Sequence, residues 1–182
     1  MAEHEVSIGL PKKLAMPFFR YADTTGDGSG SINFVGNYSS SAEQAIMAAG
    51  PSETLVVARL IVMIEDSTGM RAERYATLGA ALTNGVAVRH YAADGTTILN
   101  NLTGAVPITT NALWGSTCYD VDLKEWGAGN ELLLVRWTFW KAGTPGIQLL
   151  PSESIRVDLS DNFTGVVQHC FQFQGFSRSA EH

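Results

Sequence analysis

Apolar and polar residues alternate along much of this chain with a period of two, not the 3.6 of a helix. In 117–123, Tyr119, Val121 and Leu123 alternate with Cys118, Asp120 and Asp122. In 155–159, Ile155, Val157 and Leu159 alternate with Arg156 and Asp158. In 167–174, Val167, His169, Phe171 and Phe173 alternate with Gln168, Cys170, Gln172 and Gln174. Successive side chains of a strand point to opposite faces, so the pattern predicts strands with one face in a core and the other outward. Residues 131–141 follow the rule, with Leu133, Val135, Trp137 and Phe139 inward and Trp140 on the opposite face, a second covered face or a contact. Residues 54–65 are apolar on both sides. Val56, Ala58, Leu60, Val62 and Ile64 share one face; Leu55, Val57, Ile61 and Met63 share the other, with Arg59 the exception. A strand of that kind is expected to be covered twice, by a loop layer or by another subunit.

Turn chemistry separates these segments. Asn84-Gly85 predicts a type I′ hairpin joining 80–83 to 86–91, because that turn needs positive φ at both central residues. Asp94-Gly95 turns the chain again into 96–100. Residues 15–21 and 32–38 are read as short strands, and 66–77 as a surface loop with a helical turn. Residues 41–49 fit two patterns. Ser41 with Gln44 resembles a capping box ending at Gly50-Pro51, but the same Gly-Pro could turn one strand into the next, and the all-β surroundings favour the strand. The expected fold is all-β, an antiparallel β-sandwich or jelly roll spanning 21–182 as one domain. Residues 1–20, with Pro11 and Pro17, form an extended N-terminal arm or first strand.

Composition sharpens the function classes. Charged residues are 16% of the 182, against about 25% in ordinary globular domains. Fewer charges mean less solvated surface, so part of the outside is expected to be covered by another subunit. The net charge of −6, with no basic cluster beyond Lys12-Lys13, argues against nucleic acid as a partner. The longest apolar stretch, 55–64, is interrupted by Arg59 and too short to span a membrane. Residues 1–10 lack the features of a secretory signal. Two cysteines, Cys118 and Cys170, do not make a disulfide framework, which fits synthesis in a reducing cytoplasm.

No set of catalytic groups converges in the sequence. Asp23, Thr25, Asp27 and Ser29 have the odd spacing of a calcium loop around Gly28, but Phe34 occupies the place of the closing Glu. Asp120 with Asp122, and Glu65-Asp66, are carboxylate pairs of the kind glycoside hydrolysis uses, yet they read more simply as solvated strand faces. His4, His90, His169 and His182 lack metal-ligand spacing, and His169 falls on an apolar face as a hydrogen-bonded core residue. No phosphate loop, dinucleotide fingerprint or nucleophile elbow occurs. The expectation is a non-enzyme with no metal and no cofactor. Trp114 and Trp126 lie in turn-like contexts beside Asn, suited to an interface, to sugar stacking, or to plugging the ends of a sandwich. Trp114, Trp126, Trp140 and Arg59 are therefore the candidate contact residues.

A longer succession carries a resemblance. Gly36-Asn-Tyr-Ser39, Arg59-Leu-Ile-Val-Met-Ile-Glu-Asp66, Leu82-Thr-Asn-Gly-Val86, Thr110-Asn-Ala-Leu-Trp-Gly115, Cys118-Tyr-Asp120, Gly127-Ala-Gly-Asn-Glu131, Arg136-Trp-Thr-Phe139 and Asp161-Asn-Phe-Thr-Gly165 follow one another from about residue 21 to 176. The chain resembles a family of small structural proteins of tailed bacteriophages. The resemblance implies a virion component assembled in the host cytoplasm, a head decoration (cement) protein contacting the major capsid protein or other virion proteins. It supplies no catalytic residues. Apolar residues on both faces of 54–65 add the expectation of a homo-oligomer, with a trimer matching the threefold points of a shell. The alternatives are a connector, tail or fibre-associated virion protein, and a carbohydrate-binding module.

Overall fold

In the computed structural model, residues 16–29, 34, 36–65, 84, 86–102, 120–126, 132–140 and 146–179 are described, with backbone alone at 86, 120–126, 132, 133 and 179. Every regular element among them is a strand, as the period-two pattern requires: β1 (Met16–Tyr21), β2 (Glu43–Ala48), β3 (Glu53–Glu65), β4 (Val86–Tyr91), β5 (Ile98–Asn101), β6 (Asp120–Trp126), β7 (Leu132–Thr138), β8 (Ile147–Leu149), β9 (Ser154–Leu159) and β10 (Gln168–Ser179). They form two antiparallel sheets. A six-stranded sheet runs β1-β10-β3-β7-β6, with β8 also on β3; a four-stranded sheet runs β2-β9-β4-β5. Residues 1–15, which include most of the expected arm, lie outside the described residues, as do 66–83, Gly85 and with them the Asn84-Gly85 hairpin.

One core joins the sheets. From the larger come Leu60, Val62 and Ile64 of β3, Phe171 and Phe173 of β10, and Val135 and Trp137 of β7; from the smaller, Ala45 and Met47 of β2, Ile155, Val157 and Leu159 of β9, and Val88 of β4. Each fully buried large side chain contributes about 1.5–3 kcal/mol, so these rows dominate the stability. Gly50-Pro51 does act as a turn. Glu53 N–H donates to the Gly50 carbonyl at 3.1 Å, and the Glu53 carboxylate accepts from Gly50 N–H at 3.2 Å. That turn passes the chain from β2 in one sheet to β3 in the other. Arg20 of β1 pins it with two bonds to Glu53, at 3.0 and 2.6 Å. The Asp94-Gly95 turn also forms. Gly95 has φ +71°, and hydrogen bonds from the Thr97 hydroxyl and the Thr97 and Thr96 amides hold the Asp94 carboxyl down at about 2.

β3 departs from simple alternation. Arg59 pairs with Gln174 of β10, but the next partner of Gly175 is Val57, so Ala58 is an extra residue, a β-bulge. The bulge shifts the phase of the strand. Leu60, Val62 and Ile64 point inward beyond it, whereas Leu55 and Val57 point inward before it. The expected single face of Val56, Ala58, Leu60, Val62 and Ile64 is thus divided, because a one-residue insertion exchanges the two sides of a strand. The Ala58 carbonyl accepts from Phe139 N–H at 2.8 Å. Here too the neighbour of β3 changes from β8 to β7. Two glycines press against the bulge. A Cβ on Gly175 would strike the Val56 carbonyl oxygen, and one on Gly146, at φ +100°, would strike that of Val57.

Other expectations shift. Val167 is 43% exposed rather than inward, because β10 starts one residue later and Val166 fills the core. Of the 32–38 strand only one bridge remains among the described residues, Asn37 with Asn162. The second cover expected over β3 is incomplete in the described structure: Met63 and Arg59 are exposed. His169 is in the core as expected, fully buried, with Nδ1 2.7 Å from the Phe34 carbonyl.

Candidate functional site

β1 is an edge strand, and its sequence explains how it can be one. Ala22 N–H donates to the Phe171 carbonyl at 2.9 Å. Antiparallel alternation then directs the backbone groups of Met16, Phe18 and Arg20 toward β10 and those of Pro17, Phe19 and Tyr21 away. Pro17, which has no N–H, falls where none is needed. Phe18 packs on the core, while Phe19 and Tyr21 meet edge-to-face on the outer side, 5.8 Å apart.

The register carries this aromatic row across the sheet. Phe19 pairs with Gln174, Gln174 with Arg59, and Arg59 with Thr138. One row over, Pro17 pairs with Phe176. Gly175 and the bulged Ala58 put nothing larger than a methyl group between these positions. The result is a hollow of about 520 Å³ on the outer face, lined by Pro17, Phe18, Phe19, Ala58, Arg59, Trp140, Gln174, Gly175 and Phe176. Phe19 is 54% exposed, Trp140 50% and Phe176 41%. Arg59 is also exposed and makes no hydrogen bond or ion pair among the described residues. By contrast, Arg20 and Arg89 are tied to Glu53 and Asp158. Two of the four candidate contact residues, Arg59 and Trp140, therefore meet in one place. Trp126 is elsewhere, the last residue of β6 rather than in a turn, paired with Leu132. Trp114 lies outside the described residues.

The carboxylates of β6 and of β3 do not meet. Asp122 is in register with Arg136, and Arg136 with Ile61, whereas Glu65 is four residues further along β3. At the rise of a strand that is about 13 Å, before the spacing between strands is added, which is too far for a glycosidase pair. Asp66 lies outside the described residues. In the calcium-like loop, Asp23 turns its oxygens onto hydrogen-bond donors: Thr25 N–H at 3.0 Å, Gly26 N–H at 2.5 Å and Ser29 N–H at 3.1 Å. Ser29 N–H also donates to Asp27 at 2.8 Å. These bonds are those of an Asx-type turn and hold the loop closed. Cys170 is half-buried on the outer side, and burial pushes its thiol up, away from the reactive thiolate. Cys118 lies outside the described residues.

Sequence reasoning missed a polar cluster on the outer side of the four-stranded sheet. Arg156 and Asp158 do face away from the core, but Asp158 is only 4% exposed. It accepts from Arg89 at 2.6 Å, Gln44 at 2.9 Å and the Tyr91 hydroxyl at 3.0 Å, while the Arg156 guanidinium lies 4.5 Å above the Tyr91 ring. Arg89 and Arg156 are direct cross-strand partners, so Asp158 offsets two like charges held side by side. The only sequence signal was the apolar-polar alternation of 155–159, which gives direction and not burial. Asp158→Ala should cost about 2 kcal/mol by urea denaturation, less than a fully buried pair because Arg89 is partly solvated. A change near zero would assign the cluster no structural role.

Comparison of the chain with protein-family models, with curated proteins and with solved structures finds no match.

Proposed function

We propose that the protein is a non-enzymatic structural component of a bacteriophage virion, a decoration (cement) protein that binds the assembled head shell and stabilises it. The observation carrying this reading is the exposed aromatic hollow on the outer face of the six-stranded sheet, with an arginine that no described residue pairs. Tryptophan, aromatic and arginine side chains clustered on an open surface are the composition of protein-protein hot spots. The resemblance to small phage structural proteins supplies the virion setting, with the major capsid protein as partner. The reading includes a jelly-roll-like wrap of the sandwich, the part of the N-terminal segment ahead of β1 as an attaching arm, and a homo-oligomer, a trimer in first place. A cement subunit stabilises by mass action, since it binds the assembled shell and not its separated subunits.

Heads prepared without the protein test this. Added protein should cosediment with assembled shells and not with dissociated capsid subunits, and decorated heads should release DNA at a higher temperature than bare ones. Equal release temperatures would remove the cement role. A cryo-EM map with the protein at the neck, tail or fibre would move it to another virion location. Light scattering should give a mass above that of the monomer at micromolar concentration.

A carbohydrate-binding module is the second reading, favoured by Trp140 and Phe19 on the rim of the hollow, where a sugar ring could stack. Binding on a glycan array, lost on Trp140→Ala, would support it over the first.

A further inference from the structure

We propose that the hollow is a socket for an extended segment of a partner protein in which a carboxylate stands beside a large apolar side chain. The proposal rests on the reading of the protein as an adhesive subunit only for who the partner is; the chemistry of the socket stands on its own.

The floor sets the first requirement. The bulged Ala58 puts no more than a methyl group on this part of the sheet face and Gly175 lines it with backbone, while Phe19, Phe176 and Trp140 stand around it, each exposed by 41% or more. An apolar side chain seated there removes aromatic surface from water on three sides, at about 25 cal/mol per Å². The volume of about 520 Å³ is within the range of about 300–1,000 Å³ typical of small-ligand sites, so one or two side chains can enter rather than merely rest on the surface.

Arg59 sets the second requirement. Among the described residues it is the one cation lining the hollow, and no described acid neutralises it. A guanidinium beside apolar walls is weakly hydrated and presents a planar fork that matches a carboxylate with two parallel bonds. Seating a carboxylate there, partly shielded by the aromatic rim, gives a stronger bond than the same pair in open water. A sugar fits less well. Its hydroxyl groups need several fixed donors and acceptors, and among the described residues the polar side chains lining the hollow are Arg59 and Gln174.

The test uses the full chain and three probes: a terminally blocked Phe-Asp-Leu peptide, its Phe-Asn-Leu counterpart, and glucuronic acid. NMR titration follows the Trp140 indole N–H and the Arg59 side-chain N–H. The acidic peptide should shift both signals and bind about tenfold more tightly than the amide peptide. Arg59→Gln should erase that difference, and Trp140→Ala should weaken both peptides. Both residues are exposed, so neither variant threatens the fold. Equal affinity for the two peptides, no binding at millimolar concentration, or binding of glucuronic acid alone would overturn the proposal. So would loss of an oligomer in Arg59→Gln without peptide binding, which would give the hollow to a second copy. The two readings fail separately. Peptide binding without attachment to heads leaves the socket and removes the cement role; attachment that survives Arg59→Gln does the reverse.

Discussion

Gly175→Val should destabilise the protein by about 3 kcal/mol, close to the upper end for a substitution that overpacks a well-filled interior. At this position the new atoms meet backbone, not a flexible side chain. A Cβ would overlap the Val56 carbonyl oxygen and lie 2.9 Å from the Val56 carbonyl carbon and 3.0 Å from the Val57 Cα. No rotamer change relieves this, so β3 or β10 has to move. Both are central to the sheet, and the pair they form is its longest. Movement there also disturbs the phase shift at Ala58, which decides that Leu55 and Val57 point into the same core as Leu60 and Val62. Gly175→Ala should follow the same direction with a smaller loss. Gly50 is a contrast, because a Cβ there meets nothing closer than 3.5 Å, the side chain of Glu53. Gly50→Ala should therefore change stability by less than about 0.5 kcal/mol. Urea midpoints measured on the three variants check the ranking, and a Gly175→Val protein as stable as Gly50→Ala would show that the strands are not held as close as described.

How much of this was legible in the sequence depends on what each feature needs. Alternation needs only the order of residues. Thus the inward set Ile155, Val157 and Leu159 follows directly from the pattern, 86–91 was placed as a strand by the turn residues before it, and the all-β surroundings were enough to make 41–49 a strand. The bulge in β3 left no trace, because both phases of 54–65 are apolar and a shift from one to the other conserves the composition of each face. Its signal was on the other strand, in Gly175, a residue that interrupts β10 for no reason visible in β10 itself. The hollow was half legible. Arg59 was marked as the one charge in an apolar strand, and Trp140 as the residue opposite Trp137. That they line the same surface depends on the register of β3 with β7, which is fixed by three-dimensional pairing and not by spacing along the chain. Trp126 was misplaced because Glu-Trp-Gly-Ala-Gly resembles a turn from its glycines on, while the strand continues through the tryptophan. Burial of Asp158 was invisible for the same reason as the hollow: its partners Gln44, Arg89 and Tyr91 come from two other strands.

His169 alone should lower stability by about 3 kcal/mol as pH drops from 6.5 to 4. The ring is fully buried between Phe163, 5.2 Å away and edge-on, and Phe171, stacked at 5.9 Å. Its Nδ1 is 2.7 Å from the Phe34 carbonyl, and a carbonyl only accepts, so Nδ1 carries the proton of the neutral ring. Burial lowers its pKa to about 4, against an ordinary 6.5. Between those values the unfolded chain binds a proton that the folded chain refuses, so unfolding gains as pH falls. Above 6.5 both states are neutral at this site and the term vanishes; below 4 both are protonated and it is constant. A difference of about 2.5 units corresponds to about 3 kcal/mol. Asp94, held down at about 2, acts in a lower window, and Glu53, whose burial is outweighed by the bonds from Arg20 and Gly50 that hold it below 4.5, adds its loss around and below that value, so the range above about 4.5 is left to the histidine. His169→Asn separates the titration from the packing. Its amide can still donate to the Phe34 carbonyl, but it has no proton to gain. The variant should be less stable at pH 7.5 by about 1–3 kcal/mol, from the smaller side chain, and its urea midpoint should stay level between pH 6.5 and 4.5 where the parent's declines. A parent protein with a level midpoint across that range, or a variant that declines in parallel with it, would show that His169 is not the group that titrates.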